Sequence, residues 1–357
     1  MKKRYAVIVG ARPNFVKAAP LFHRVKEYPD LAFTLIHTGQ HFDHNMSKIF
    51  FDQMGIPKPD IQMELPEGLP SEKLGKLFSN LKAVIHSGEY DGVIVFGDIN
   101  STLAGALAAT TGGLRLIHIE SGLRSHDRRM PEELNRVITD HLSDLLCVTE
   151  QSGFDNLAAE GVDPQKMQLV GNIMVESIEI FRDTFDQSAI LETLKVSPNE
   201  YVVATVHRVE NTTDSAILKK LLGVLSEVAK QYPVIFPLHP GTKNYITEHG
   251  LGELLEPLRV VDPVGYLDFM KLVMEAKGVV TDSGGLQEET SHLGIPCCTL
   301  RDNTERPITL LLGSNKLFPI ADVESAAVLT HLERTDFVPG AIPFWDGEVS
   351  KRILDLL

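Results

Sequence analysis

The feature that most restricts how this chain can fold is an alternation of short β-rich apolar runs with helical patterns, sustained over two successive series. The first series places strands over 5–9, 33–37, 92–96, 114–119, 145–149 and 167–170. Between them, 14–27 carries Phe15, Ala18, Ala19, Phe22 and Val25 at helical spacing, and 103–109 is a helical run of small residues. The second series begins after the polar turn Pro198-Asn199-Glu200 and runs through 201–206, 233–238, 259–261, 278–281 and 297–300. Strands separated by helices pair in parallel, since only a parallel pair needs a crossover of that length. The expectation is an α/β protein of two Rossmann-like domains whose parallel sheets face a central cleft. A boundary near Gly171-Asn172 gives domains over 1–170 and 171–346. A closing helix over 347–357 follows the turn at Pro343 and can pack on either; it is grouped with the first domain. A length of 357 residues agrees, because single cores rarely grow that large.

Several function classes are disfavoured. The net charge of -14 argues against a nucleic-acid partner, whose phosphates recruit basic surfaces. Basic Lys2, Lys3 and Arg4 precede the apolar run at 5–9, but Gly10 ends it too soon for a signal peptide. No segment is long enough to cross a bilayer, so a cytoplasmic protein without membrane contact is expected. Cys147, Cys297 and Cys298 lack metal-ligand spacing, and their odd number suits a reducing compartment. The adjacent pair reads as two small residues buried in a strand. No His-Glu-x-x-His motif appears, so no metal is expected, and Asp98-Ile99-Asn100 is not the aspartate pair of a metal-dependent sugar transferase. Gly10 is followed by Ala11, Arg12 and Pro13 rather than by a Gly-x-Gly-x-x-Gly turn, which disfavours a nicotinamide cofactor.

In open parallel sheets ligands bind beyond the carboxyl ends of the strands. Nearly every strand here delivers polar groups to that edge: Arg12, Gln40 and His41, Asp98, and Glu120 in the first series; His207, Arg208 and Glu210, then His239, then Asp282-Ser283-Gly284-Gly285, then Arg301 to Arg306 in the second. Thr281-Asp282-Ser283-Gly284-Gly285 is the most specific. Two glycines after a strand permit close backbone approach, and the N–H groups of the following helix suit a diphosphate. Ser283 can cap that helix or bond a phosphate, and Glu289, about a turn in, lies on the face of Gly285, where it can accept from ribose hydroxyls. Pro131 opens another helix, with Glu132, Arg136 and Asp140 on one face and Leu134, Val137, Ile138 and Leu142 opposite; alone, that face reads as a solvated salt-bridge ladder. His23, His86, His118, His141 and His292 lie within helices or mid-strand and take structural readings.

Taken in order, these stretches resemble the non-hydrolysing UDP-N-acetylglucosamine 2-epimerases. The matching elements are Gly10-Ala11-Arg12-Pro13, His37-Thr38-Gly39-Gln40-His41, Gly97-Asp98, Glu120-Ser121-Gly122-Leu123-Arg124 and Pro131-Glu132-Glu133-Leu134-Asn135-Arg136. They continue with His207-Arg208-x-Glu210, the Thr281 to Glu289 stretch and Arg301-Asp302-x-Thr304-Glu305-Arg306-Pro307. The resemblance implies the two-domain GT-B fold, a homodimer, and interconversion of UDP-N-acetylglucosamine and UDP-N-acetylmannosamine, feeding cell-surface polysaccharides. It implies no cofactor. It casts Asp98, Glu120 and Glu132 as the base and oxocarbenium-stabilising carboxylates, and Arg136 and His207 as groups that hold or protonate the leaving UDP. Arg12, Lys17, Arg208, Ser283, Gly284, Gly285 and Arg306 would bind substrate, with Glu289 at the ribose and Phe269 near the uracil. Many members take a second UDP-N-acetylglucosamine as activator, which implicates Gln40, His41 and His239; Phe42-Asp43-His44, and Val209 where a second arginine is frequent, depart from that pattern. Asn14-Phe15 and Arg301-Asp302-Asn303 resemble a subgroup that includes epimerases of other UDP-2-acetamido sugars, such as diacetamido uronic acids.

Overall fold

Seven parallel strands form the first sheet of the computed structural model, which describes residues 2–39, 54–64 and 68–357. They are β1 (Lys3–Val9), β2 (Leu31–His37), β3 (Ile61–Gln62), β4 (Gly92–Phe96), β5 (Arg115–Ser121), β6 (Leu145–Val148) and β7 (Met167–Leu169), in the order β3-β2-β1-β4-β5-β6-β7. The second sheet has six strands, β8 (Val202–Thr205), β9 (Val234–Pro237), β10 (Arg259–Val261), β11 (Gly278–Thr281), β12 (Cys297–Thr299) and β13 (Asn315–Leu317), in the order β10-β9-β8-β11-β12-β13. All pairings are parallel. The two orders repeat one pattern: the chain winds outward from the first strand, returns to its other side and winds out again. That reversal leaves a switch point between β1 and β4 in one sheet and between β8 and β11 in the other.

The chain divides into two compact units, Met1–Phe181 with Pro343–Leu357, and Arg182–Ile342. The division falls inside the helix Ile173–Asp186. The terminal helix Val349–Leu354 belongs to the first unit, where Ser350 donates its backbone N–H and hydroxyl to buried Glu176, each at 2.5 Å.

The strands read as apolar because they are covered on both faces. Val93 and Val95 of β4 pack with Ala104, Ala106, Ala108 and Ala109 of the helix Asn100–Thr111. In the second unit, Val202 and Ala204 of β8 meet Leu218, Leu221, Leu222 and Leu225 of the helix Ser215–Val228. That helix starts where Asp214 accepts from the backbone N–H groups of Ala216 and Ile217, at 2.8 and 3.2 Å. Among the described residues no helix is long and apolar enough to cross a membrane, and no group of three or more metal-ligating side chains occurs. The three cysteines are unpaired and buried, and burial pushes the thiol of Cys147 up to about 12 and that of Cys297 to about 11.

Candidate active site

At the first switch point, the loop after β1 is tied to the end of β4 by one side chain. Asn14, in the first turn of the helix Arg12–Arg24, accepts from the N–H groups of Gly10 and Ala11 at 3.3 Å and donates to the Phe96 carbonyl at 3.3 Å. Asp98 follows β4 and pairs with Arg136, while its own carbonyl accepts from the amide of Asn135 at 2.9 Å. Glu120 ends β5, where the register against β6 shifts between Ile119 and Ser121, and its φ of 70° is in the left-handed region. There its buried carboxylate meets the ammonium of Lys17. Two carboxylates, each against one cation, thus stand at adjacent strand ends.

The helix Pro131–Leu142 corrects the expected ladder. Its buried face is Glu133, Asn135, Arg136, Thr139 and Asp140, while Leu134 and Ile138 are exposed. The charged residues pack inward because each finds partners there. Arg136 donates to Glu133 at 2.7 Å as well as to Asp98, and Glu133 also accepts from the N–H groups of Ser125 and His126 at 2.9 Å. That buried carboxylate anchors the Arg124 to Met130 loop. Asp140 takes Arg124 at 2.7 Å and His118 at 2.7 Å. Glu132, by contrast, is exposed.

At the second switch point Asp282 is wholly buried and accepts from the backbone N–H groups of His207 and Arg208, from the Asn211 amide at 3.1 Å, and from Nδ1 of His207 at 3.0 Å. Burial opposes its charge, but the His207 ring and these backbone donors hold the carboxyl below the usual range. His207 is thereby fixed with Nδ1 turned inward and its ring half exposed.

Ser283 precedes the helix Gly284–Leu293 without a side-chain capping bond, so its hydroxyl is available to a ligand. A Cβ on Gly284 would lie 2.8 Å from Nη1 of Arg306 and 3.7 Å from Nη2 of Arg208, which places both guanidiniums beside the helix start. A Cβ on Gly285 would meet nothing within 4 Å, so space lies open above that N–H. Arg306 is gripped by Glu288 at 2.7 Å, and Glu305 bonds Arg301 through both oxygens at 3.0 and 2.9 Å. Gln287 donates to the Ser283 carbonyl at 3.2 Å and accepts from Thr304 and Asn315, which fixes the turn from below. This is a rigid, cationic helix N-terminus of the kind that takes phosphate groups.

Other sequence candidates fall apart from these clusters or outside the description. Glu289 is buried on the same helix, and Phe269 is half buried against the core cluster that includes Leu272, Val273 and Leu286. His239 is exposed and its Nδ1 accepts from the N–H of Gly241 at 3.1 Å, capping the helix Pro240–Glu248. Gln40 and His41 lie outside the described residues, as does the side chain of Arg12. Sequence reasoning assigned no role to Asn14, Glu133, Asp282 or Glu305. Asp282 and Glu305 do sit in recognised motifs, and for Glu305 the adjacent Arg306 was an available signal, which Asp282, between Thr281 and Ser283, lacks.

Two doubly wound parallel sheets, each with a polar cluster at its switch point, define a GT-B-type α/β enzyme. Comparison with known proteins narrows this. Residues 23–357 match the UDP-N-acetylglucosamine 2-epimerase family. A UDP-N-acetylglucosamine 2-epimerase of Methanococcus maripaludis is 40% identical over 99% of this chain and 98% of its own. A UDP-2,3-diacetamido-2,3-dideoxy-D-glucuronate 2-epimerase of Pseudomonas aeruginosa is also 40% identical, over 98% of each. The crystal structure of the Methanocaldococcus jannaschii UDP-GlcNAc 2-epimerase with UDP-GlcNAc and UDP superposes with a TM-score of 0.89 at 33% identity, covering 99% of each chain. The chain belongs to the UDP-N-acetylglucosamine 2-epimerase family, a family of isomerases.

Proposed function

We propose that this protein reversibly inverts C2 of UDP-N-acetylglucosamine to give UDP-N-acetylmannosamine. The observation that carries this reading is the carboxylate pair Asp98 and Glu120, each placed against a cation, Arg136 and Lys17; a protein that only bound UDP would not need them. The C2–H is a poor acid, so cleavage of the C1–O bond has to build positive charge as the proton leaves. UDP departs with the C1–O electrons, a carboxylate takes the C2 proton, and 2-acetamidoglucal remains. UDP then re-adds at C1 while a proton returns to the opposite face of C2. Asp98, Glu120 and Glu132 supply the base and stabilise the cation; Arg136 and His207, with Arg12, hold or protonate the departing diphosphate. Ser283, Gly284 and Gly285 receive the phosphates with Arg208 and Arg306, Glu289 the ribose, and Phe269 the region of the uracil. Lys17 keeps Glu120 in place.

A second reading, inversion of a UDP-2,3-diacetamido uronic acid, is favoured by the Pseudomonas relative. We further propose that two copies pair through the exposed Leu134 and Ile138, and that the enzyme works in the cytoplasm on precursors of cell-surface polysaccharides. Unpaired, buried cysteines support a reducing compartment. Incubation of each UDP-sugar in heavy water tests the activity: deuterium should appear at C2 with a mixture of epimers. Absence of label from both sugars would sink the proposal; label in only one identifies the substrate.

A further inference from the structure

His118 lies in β5, two residues before Glu120, and is wholly buried. Both of its ring nitrogens face acceptors. Nε2 lies 2.8 Å from the carbonyl oxygen of Gly97, and Nδ1 lies 2.7 Å from Oδ1 of Asp140. A carbonyl oxygen only accepts, so Nε2 bears a hydrogen. Asp140 is ionised: burial opposes this, but His118 and Arg124 hold its carboxyl below the usual range, and Gly122 adds an N–H at 3.1 Å. Asp140 holds the ring from its Nδ1 side. Behind Asp140, Arg124 is held by the exposed Glu160 through two bonds of 2.7 and 2.8 Å.

The far end of this chain of contacts is Gly97. Its φ is +60°, and its N–H donates to the Ile119 carbonyl at 3.0 Å. A Cβ there would sit 3.2 Å from the Lys17 ammonium and 3.8 Å from Oε2 of Glu120. Gly97 is thus inserted beside the Lys17–Glu120 pair, and the next residue is Asp98. Ile119 takes the Gly97 N–H on one side and Asn135 the Asp98 carbonyl on the other, and between them the oxygen of the Gly97–Asp98 peptide is gripped by His118.

We propose that His118 is a positioning residue for the epimerisation: its Nε2–H clamps the Gly97 carbonyl, and through that peptide it keeps Asp98 in its working place beside the Lys17–Glu120 pair. The proposal rests on the function given above. Displacing a reacting group by about 1 Å costs about a hundredfold in rate. His118→Leu, which removes the clamp, should lower kcat by about that factor, with KM moving less than about threefold and UDP affinity unchanged. Two conservative variants should restore most of the rate, to within about tenfold of the parent. His118→Gln offers its amide N–H where Nε2–H stood. Asp140→Asn keeps a partner on Nδ1, which accepts from the new amide, and leaves Nε2 donating to Gly97; Glu160 and Arg124 then balance each other.

The kinetics are read on the full-length protein, with UDP titration calorimetry as the check on folding. In protein labelled with 15N-histidine, His118 should show a slowly exchanging proton on Nε2. The proposal is overturned by a His118→Leu enzyme within threefold of the parent kcat, by a loss that lies wholly in KM, by Asp140→Asn falling as far as His118→Leu, or by an Nε2 that carries no such proton. Should His118→Leu not fold, Asp140→Asn and the Nε2–H signal decide. If the parent exchanges no C2 hydrogen, the function fails, while the Nε2–H signal still tests the clamp.

Discussion

Replacing Glu305 by glutamine isolates the carboxylate that organises the arginines of the second unit. Glu305 is 2% exposed; it bonds Arg301 twice, at 3.0 and 2.9 Å, with Arg306 at 3.3 Å and Arg208 at 3.9 Å. Burial opposes its charge, but Arg301, Arg306 and Arg208 together hold its carboxyl well below the usual range. Glu305 is the carboxylate common to the three guanidiniums, and Glu305→Gln leaves Arg306 with Glu288 and Arg208 with the exposed Glu210. Breaking a buried pair by removing one partner costs about 3–5 kcal/mol. The glutamine oxygen still accepts one of the two Arg301 bonds, worth about 1 kcal/mol, so a loss of about 3 kcal/mol is expected at pH 7. Hydrogen exchange in the helix Gly284–Leu293 reads this directly, with amides exchanging roughly a hundredfold faster. Because the folded-state pKa is depressed, the contribution of Glu305 is complete above its unfolded value of about 4.3 and is lost as pH falls towards the folded value. The gap between parent and variant should therefore close on acidification below about pH 4.3. A gap under about 1 kcal/mol at pH 7, or one that widens in acid, would refute this account of the arginine cluster.

Three further outcomes are expected. Asp98→Asn and Glu120→Gln should each lower kcat at least about a hundredfold while calorimetric UDP affinity stays within about twofold; lost affinity with retained kcat would reverse the assigned roles. Gly285→Ala should raise thermal stability, by about 0.5–1 kcal/mol, because its Cβ meets no protein atom, yet weaken UDP binding by filling the space of the ligand; unchanged binding would remove the phosphates from that position. Leu134→Glu should shift sedimentation from dimer to monomer without altering the circular dichroism spectrum, and a dimer that persists would place the interface elsewhere.

Both parallel sheets were legible because strands covered on both faces read as continuous apolar runs such as Val202 to Thr205. β3 and β13 were not: Ile61–Gln62 is too short to show a pattern and Asn315–Leu317 has a single apolar residue, whereas the edge strand β10 carries the adjacent Val260 and Val261. The strand-end groups were legible one by one, but which ends adjoin depends on strand order. Nothing in the spacing of His207 and Asp282 says that β8 and β11 are neighbours. The helix Pro131–Leu142 misled for a different reason. Amphipathic reading assigns the apolar stripe to the interior, whereas here Glu133 and Arg136 pair inside, Asp140 is satisfied there by Arg124 and His118, and Leu134 is left outside.

The backbone at Glu120 carries a consequence for how this enzyme can change. A residue with a side chain held at a φ of 70° costs about 1 kcal/mol relative to glycine, which occupies that region freely. The same position supplies the carboxylate that pairs with buried Lys17 and, in the proposed reaction, works at the sugar, so glycine there would relieve the backbone yet break a buried pair at a cost of about 3–5 kcal/mol. Libraries screened only for survival at high temperature should therefore accept glycine or asparagine there only together with a change at Lys17, and lose activity in the same step. Lineages that keep the reaction have to retain the strained glutamate and recover its cost elsewhere in the fold.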